Sequence, residues 1–228
     1  IRFMLGLVND FDPSQHQVDG DHLALIDQYM HANFNQFKAD MIQYYESYRY
    51  PELYKRLMNF VSTDLSAFYL DVAKDIVYIE AADSPVRRSM QTVIYQILHD
   101  LLILVTPILV HTAEEAWKSL NGVDGFIQLQ DMPEVEDLAG SQAVIDQWQT
   151  FFKVRVGINK ALEEAKNAPQ DPIKKSFEAS VILYLDADDR AALAPFADKL
   201  GQYLTLSQLK LEDLDQAPAE ALDFETYQ

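Results

Sequence analysis

Between Leu23 and Tyr48 the apolar side chains recur in steps of three and four: Leu23, Ile26, Met30, Phe34, Phe37, Met41, Tyr44 and Tyr48. A strand repeats every two residues, so this spacing puts all eight on one stripe of a long helix. Arg49-Tyr50-Pro51 breaks the pattern, because a proline restricts the residue before it and starts a new helix well. The next stripe reads Leu53, Leu57, Phe60, Val61, Leu65 and Phe68. A third helix opens at Asp83-Ser84-Pro85, with Ser84 as N-cap and Pro85 at the first helical position. Its core face is Met90, Val93, Ile97, Leu101 and Leu104, and Pro107 kinks or ends it. Thr112, with Glu115 three residues on, reads as the capping box of a short helix. Helices with one apolar stripe bury it against each other, so residues 1–120 are expected to form an antiparallel bundle.

Beyond Leu120 the texture changes. Asn121-Gly122 and Asp124-Gly125 are turn dipeptides, and Phe126 to Leu129 reads as a short extended piece. Ser141 to Ala165 is helical again, with Ile145, Trp148, Phe152 and Val156 on one face, and Pro169 and Pro172 end it. Residues 121–170 are thus a connecting segment containing a long helix. Val181 to Leu185 is β-rich, Asp188 is placed to cap a short helix running to about Lys199, and Tyr203 to Leu209 reads as a second strand. Residues 171–228 form a small α+β subdomain with an acidic tail from Glu212. The fold class is mainly α: an antiparallel helical bundle followed by that subdomain. A chain of 228 residues, 49% hydrophobic, supports one good core and a smaller second one.

Composition narrows the function. The absence of cysteine removes disulfides and thiolate metal sites and fits a cytoplasmic protein. No uncharged apolar run reaches the ~18 residues of a membrane span, and the start has no basic-then-apolar leader pattern. The formal net charge is −18, and acidic side chains outnumber basic ones in both halves. Such an average field repels nucleic acid. The Debye length near physiological salt is only roughly 8 Å, however, so local clusters decide binding more than the total does.

Three basic clusters stand out. Arg87-Arg88 lies in the first turn of a helix, where the macrodipole disfavours cations, so some anion must offset the pair. Glu80 or Asp83 would do so structurally; an RNA phosphate would do so functionally, since Arg forks fit phosphate oxygens. Gln91 lies one turn later, within reach of a base edge or sugar. Tyr54, Lys55, Arg56 and Asn59 interleave aromatic, basic and amide groups, a mixture that stacks unpaired bases and holds phosphates. Tyrosines at helical spacing also serve as core rims. Arg2 is the third cluster, on an opening helix whose Phe3 reads as core. The histidines His16, His22, His31, His99 and His111 never fall at paired ligand spacing, so no metal site is expected. Glu114-Glu115 and Glu163-Glu164 are adjacent on helices and do not face each other. No glycine-rich phosphate loop is present, and no catalytic residue is visible.

The polar punctuation is narrower than the periodicity. In order come D-L-S-x-F-Y-L-D (64–71), K-D-x-x-Y (74–78), A-D-S-P-x-R-R-S-x-Q-T-V (82–93) and P-I-L-x-H-T-A-E-E-x-W (107–117). This series resembles the anticodon-binding helical domain of bacterial isoleucyl-tRNA synthetases, a class Ia family. The opening I-R-F-M-L-G-L-V-N-D-F-D-P is similar to the family's helix leading out of its catalytic core, and K-S-F-E-A-S-V (175–181) is similar to its K-S-L-E-A-x-V pattern. The sequence departs from the family at Pro51 and Val61, where a histidine and a cysteine are common. The resemblance implies a fragment that grips the anticodon stem-loop of isoleucine tRNA through Arg2, Tyr54, Lys55, Arg56, Arg87, Arg88 and Gln91. It further implies a monomeric cytoplasmic parent that joins isoleucine to tRNA with ATP and Mg2+ in a catalytic domain lying outside this chain. A zinc module beyond Gln228 is the remaining cofactor expectation; none is expected within the fragment. A valyl or leucyl synthetase would share the bundle but lack the full 82–93 run. An acidic helical adaptor binding proteins through an apolar face is the alternative of a different class.

Overall fold

A computed structural model of the chain describes residues 1–168, 173–174, 178–219 and 221–222. It divides into two compact units, Ile1–Ile145 and Asp146–Gln228. The fold is mainly α, with one small parallel sheet. No helix among the described residues is long and apolar enough to cross a membrane.

The first unit contains helices, turns and irregular segments but, among the described residues, no strand. After α1 (Arg2–Leu7) and the single turn α2 (Pro13–His16), the long α3 (Leu25–Glu46) leads into α4 (Tyr50–Asn59). A ten-residue π-helical stretch, Phe60–Tyr69, then passes into α5 (Leu70–Ile79) without a break. Next come α6 (Pro85–Val105), α7 (Val110–Trp117) and α8 (Leu138–Gln147). The stripe along α3 buries Ile26, Met30, Phe34, Phe37 and Met41 as its spacing requires, and α6 buries Met90, Val93, Ile97, Leu101 and Leu104. Phe60 closes the contact between α3 and the π stretch, stacking 4.2 Å from Phe37 and lying 5.6 Å from Phe34. Removing a fully buried ring of this kind costs about 3–5 kcal/mol.

The π stretch explains an oddity of spacing. Phe60 and Leu65 are both buried yet stand five residues apart, a step that i→i+5 hydrogen bonding aligns and an α-helix does not. The Ser66 hydroxyl likewise donates to the Val61 carbonyl five residues back, at 2.6 Å.

Several local readings of the sequence need correction. Ser84 holds the N-cap position of α6, with Pro85 next, but its hydroxyl donates to Glu80 at 3.2 Å instead of serving the helix. The capping box at Thr112 and Glu115 does not form: α7 begins at Val110, Leu109 takes the N-cap place, and Thr112 lies inside the helix. Ile127–Leu129 is a 3-10 turn and not an extended piece, because Ile127 turns inward to be buried.

In the second unit, the helix expected over 141–165 is interrupted at Trp148, which separates α8 from α9 (Gln149–Lys166). Trp148 is buried, with ring centroids 5.0 Å from Phe151 and 4.7 Å from Phe196. The interruption resets the helical phase. The buried face of α9 is Phe151, Val154, Ile158 and Leu162, while Val156 is exposed and Phe152 only half-buried. Strand β1 (Ser180–Leu185) pairs in parallel with β2 (Gln208–Asp213), Leu183 opposite Leu211. Parallel pairing needs a crossover, supplied by α10 (Ala187–Leu193) and α11 (Leu200–Tyr203). Asp186, not Asp188, caps α10, accepting from the Asp189 N–H at 2.8 Å. The second strand starts later than Tyr203: that apolar run ends α11 and is buried near Trp148. Pro169, Pro172, the Lys175-Ser176-Phe177 part of the 175–181 pattern and the end of the acidic tail lie outside the described residues.

Candidate nucleic-acid interface

The turn from α3 into α4 carries the most exposed aromatic surface of the first unit. Tyr44 and Tyr45 start it from inside α3, the Tyr45 hydroxyl donating to the Leu104 carbonyl at 2.7 Å. The chain then reverses through two backbone bonds: Tyr48 N–H donates to the Tyr45 carbonyl at 3.2 Å, and Arg49 N–H to the Tyr44 carbonyl at 2.9 Å. This is the paired helix-end motif in which glycine is the usual residue at the left-handed position. Here that residue is Tyr48, with φ at +56°. A bulky side chain in that conformation costs about 1–2 kcal/mol relative to glycine. The cost presents an aromatic ring to solvent: Tyr48 is 77% exposed.

Tyr50, Tyr54 and Met58 follow at intervals of four along α4, which puts them on one face, and all three are exposed. Tyr54 is 64% exposed, so it is not a core rim. Tyr48 and Tyr50 meet edge to face with centroids 6.3 Å apart. Lys55 and Asn59, again four apart, are exposed beside this row, and Lys55 makes no ion pair among the described residues. Arg49 is held by Glu52 at 2.8 Å and lies 5.3 Å over the Tyr44 ring. Aromatic faces flanked by a free ammonium and an amide are what unpaired bases and their phosphates need. Met58 also lines an apolar groove of about 590 Å³ with Ile1, Phe3 and Leu57. The groove brings the start of α1 to the end of α4. Arg2 is exposed but does not line the groove, and Phe3, expected in the core, lines it and is exposed.

The family model described as the anticodon-binding domain of tRNA ligase matches residues 27–183. The chain belongs to that family. Relatives agree in detail: isoleucine–tRNA ligase of Lactiplantibacillus plantarum is 46% identical over 98% of this chain. That of Limosilactobacillus reuteri is 43% identical over 96%, and that of a Streptococcus agalactiae strain is 42% identical over 99%. The chain spans about a quarter of the length of these relatives, 24% in the first case. The matched relatives favour the isoleucine enzymes over the valyl, leucyl and adaptor alternatives.

The other basic residues singled out from the sequence are differently placed in the domain. Arg56 turns inward from α4: its Nε donates to Asp40 at 2.8 Å, Nη1 lies 3.8 Å from Asp64, and the guanidinium sits 5.3 Å over the Phe37 ring. It is thereby already paired, and its neighbours Tyr54 and Lys55 face the other way. Arg87 and Arg88 are not on an open face either, their side chains being 15% and 14% exposed. Neither pairs with Glu80 or Asp83. Both meet Asp10, which follows α1: Arg87 at 2.8 Å, and Arg88 at 3.6 Å and through the Asp10 carbonyl at 3.2 Å. Gln91 is buried completely and has no edge to offer a base. Its amide donates to the Leu7 carbonyl at 2.8 Å and to Asp10 at 2.7 Å, and its oxygen accepts from Arg88 at 2.8 Å.

Below this cluster a second carboxylate is fully sealed. Asp27 accepts from the Tyr69 hydroxyl at 2.6 Å and from the Ser89 hydroxyl at 2.5 Å. Burial pushes its carboxyl up to about 7, against the pull of those two donors. The residues that sequence reading missed are Tyr48, which looked like the end of a core stripe, Tyr50, which read only as part of the break before α4, and Asp10, whose role depends on a contact far along the chain. Nothing local marks Asp10. Tyr48 did carry a signal, because the stripe ends at Arg49-Tyr50-Pro51.

Proposed function

We propose that this chain is the tRNA-gripping part of an isoleucine–tRNA ligase, and that the exposed row Tyr48, Tyr50, Tyr54 and Met58, with Lys55 and Asn59, meets the anticodon loop. The observation that carries the reading is this row of solvent-facing aromatic rings beside a cation that makes no ion pair among the described residues, in a chain of the anticodon-binding family. Unstacked loop bases are the parts of an RNA that side chains can read. Stacking on the tyrosines supplies affinity in spite of the acidic average, and Lys55 supplies a local positive charge. Arg2, exposed between the groove-lining Ile1 and Phe3, extends the same surface.

The parent attaches isoleucine to its tRNA using ATP and Mg2+ in the cytoplasm, as a monomer, with a catalytic domain outside this chain; a zinc module beyond Gln228 belongs to the same reading. This chain contributes binding and no chemistry. The test is a titration of isoleucine tRNA against wild type, Tyr54→Ala and Lys55→Glu at fixed salt. Loss of one stacked base corresponds to roughly 1–3 kcal/mol, so Tyr54→Ala should weaken binding by about 5- to 150-fold. Equal affinities for all three proteins would remove α4 from the interface.

A further inference from the structure

Asp10, Arg87, Arg88 and Gln91 form a cluster that the row on α4 does not use. One carboxylate faces two guanidinium groups, so the cluster carries an excess positive charge. The buried Nε of Arg87 has no hydrogen-bond partner among the described residues, so its donor capacity is not exhausted. Gln91 fixes the geometry from below, bonded at once to the Leu7 carbonyl, to Arg88 and to Asp10. The two arginines are mostly covered, yet the carboxylate that covers them is 42% exposed. Partial burial works to raise the Asp10 carboxyl, but the Gln91 amide and then the two guanidinium charges outweigh it and hold it below the ordinary carboxylate range. Asp10 is therefore charged at neutral pH, and it sits where an oxyanion with two acceptor oxygens is bound.

We infer that Arg87 and Arg88 form a phosphate seat that Asp10 occupies in the free protein, and that a backbone phosphate of the bound tRNA takes the place of the Asp10 carboxylate. The inference rests on the tRNA-binding reading above for its ligand, but not for its geometry. A phosphodiester carries one charge and two free oxygens, as the carboxylate does, and the Arg fork accepts either. The displaced Asp10 side chain turns to the solvent it already touches. Gln91 keeps its bond to Leu7 and continues to hold Arg88, which makes it a positioning residue and not an RNA contact. Glu80 and Asp83, near the start of α6, pair with neither arginine, and among the described residues Asp10 is the carboxylate in the seat. An RNA lacking a phosphate at the right distance cannot open the seat, so the exchange adds selectivity for a folded stem-loop over loose RNA.

The experiment compares wild type, Asp10→Asn, Asp83→Asn and the double variant Arg87→Gln with Arg88→Gln, each shown to be folded by thermal melting. Asp10→Asn keeps the shape of the side chain and removes the competing charge. It should bind isoleucine tRNA about threefold to tenfold more tightly than wild type. Asp83→Asn, which removes a nearby charge outside the seat, should change affinity less than twofold, and the double variant should bind about tenfold more weakly. Inorganic pyrophosphate, followed by amide NMR shifts at residues 86–91, reads the seat without RNA: Asp10→Asn should respond at concentrations where wild type does not. Where tRNA binds, an Asp10→Asn affinity no better than wild type, or no better than Asp83→Asn, overturns the seat. Where no tRNA binds to any protein, the α4 reading fails and the pyrophosphate arm alone decides. A response at 86–91 confined to Asp10→Asn then supports the seat, and no response overturns it.

Discussion

Two basic regions of the first unit look alike in sequence and differ in what they can offer. On α4, Lys55 is exposed beside Tyr54, Tyr50 and Tyr48 and makes no ion pair among the described residues. At the start of α6, Arg87 and Arg88 share Asp10 and are largely covered. The difference lies in partners that are remote in the chain: Asp10 reaches α6 across 77 residues, whereas among the described residues no carboxylate pairs with Lys55. Arg56 makes the same point within one helix, since it neighbours Lys55 yet is spoken for by Asp40 and Asp64. A cation's availability is thus a property of the fold, and composition or local clustering is a poor guide to it.

Affinity for tRNA should separate the two regions most strongly. Combining Tyr54→Ala with Lys55→Glu should weaken isoleucine tRNA binding by about 30-fold to more than 100-fold, since a stacked base is worth roughly 1–3 kcal/mol and a phosphate contact is lost as well. The loss should exceed that of the Arg87→Gln, Arg88→Gln pair when both are titrated across one salt series. If the arginine pair costs more, the open region is not the principal contact.

The closed region should reveal itself in stability instead. Gln91→Leu strands the Leu7 carbonyl and loosens Arg88, and an unmet buried acceptor costs about 1–3 kcal/mol. Urea unfolding should therefore show Gln91→Leu destabilised by that amount, with Lys55→Ala unchanged within about 0.5 kcal/mol as an exposed substitution. A Gln91→Leu protein as stable as wild type would mean that the cluster does not brace α6.

Asp27 sharpens the same contrast through pH. Its folded carboxyl, at about 7, lies above the ordinary unfolded value of about 3.9. The folded state therefore holds a proton that the unfolded state releases first. The resulting stability is fully present below about pH 4, declines as pH rises, and is gone above about pH 7. Asp27→Asn cannot titrate, so the difference between wild type and variant should slope by up to about 1.4 kcal/mol per pH unit in that window and flatten above it. A difference independent of pH would show that burial does not control this carboxyl.

The smallest effect is the most specific to the open region. Tyr48→Gly relieves the left-handed strain, so the protein should become more stable by about 0.5–1 kcal/mol while binding tRNA several-fold more weakly. Stability and binding moving in opposite directions would identify Tyr48 as a residue kept for its ring. Loss of both would mark it as structural.

The helices of the bundle were legible because their burial follows a period that the sequence displays, from Ile26 through Met41 on α3 and from Met90 through Leu104 on α6. The π stretch was hidden by that same method: a five-residue step between Phe60 and Leu65 reads as an irregularity in a 3.6-residue period. Trp148 interrupts a pattern that continues on both sides of it, and nothing in its neighbours signals the turn. The apolar run from Tyr203 favours strand by composition, but burial near Trp148 places its start at the end of a helix. Among the site residues, Tyr54 and Lys55 were readable as chemistry. Their exposure was not, because it depends on which face of α4 meets α3. The pairing of Arg87, Arg88 and Gln91 with Asp10 was not legible at all, since no local rule joins residues so far apart.

The α4 row is proposed to meet the anticodon loop. Replacing Tyr54 with the photoreactive p-benzoylphenylalanine and irradiating the complex with isoleucine tRNA tests it most directly. Contact of the row with that loop should give a cross-link mapped by primer extension to nucleotides of the anticodon loop, competed away by unlabelled tRNA. A cross-link confined to the acceptor arm, or none in a complex shown to form, would contradict it.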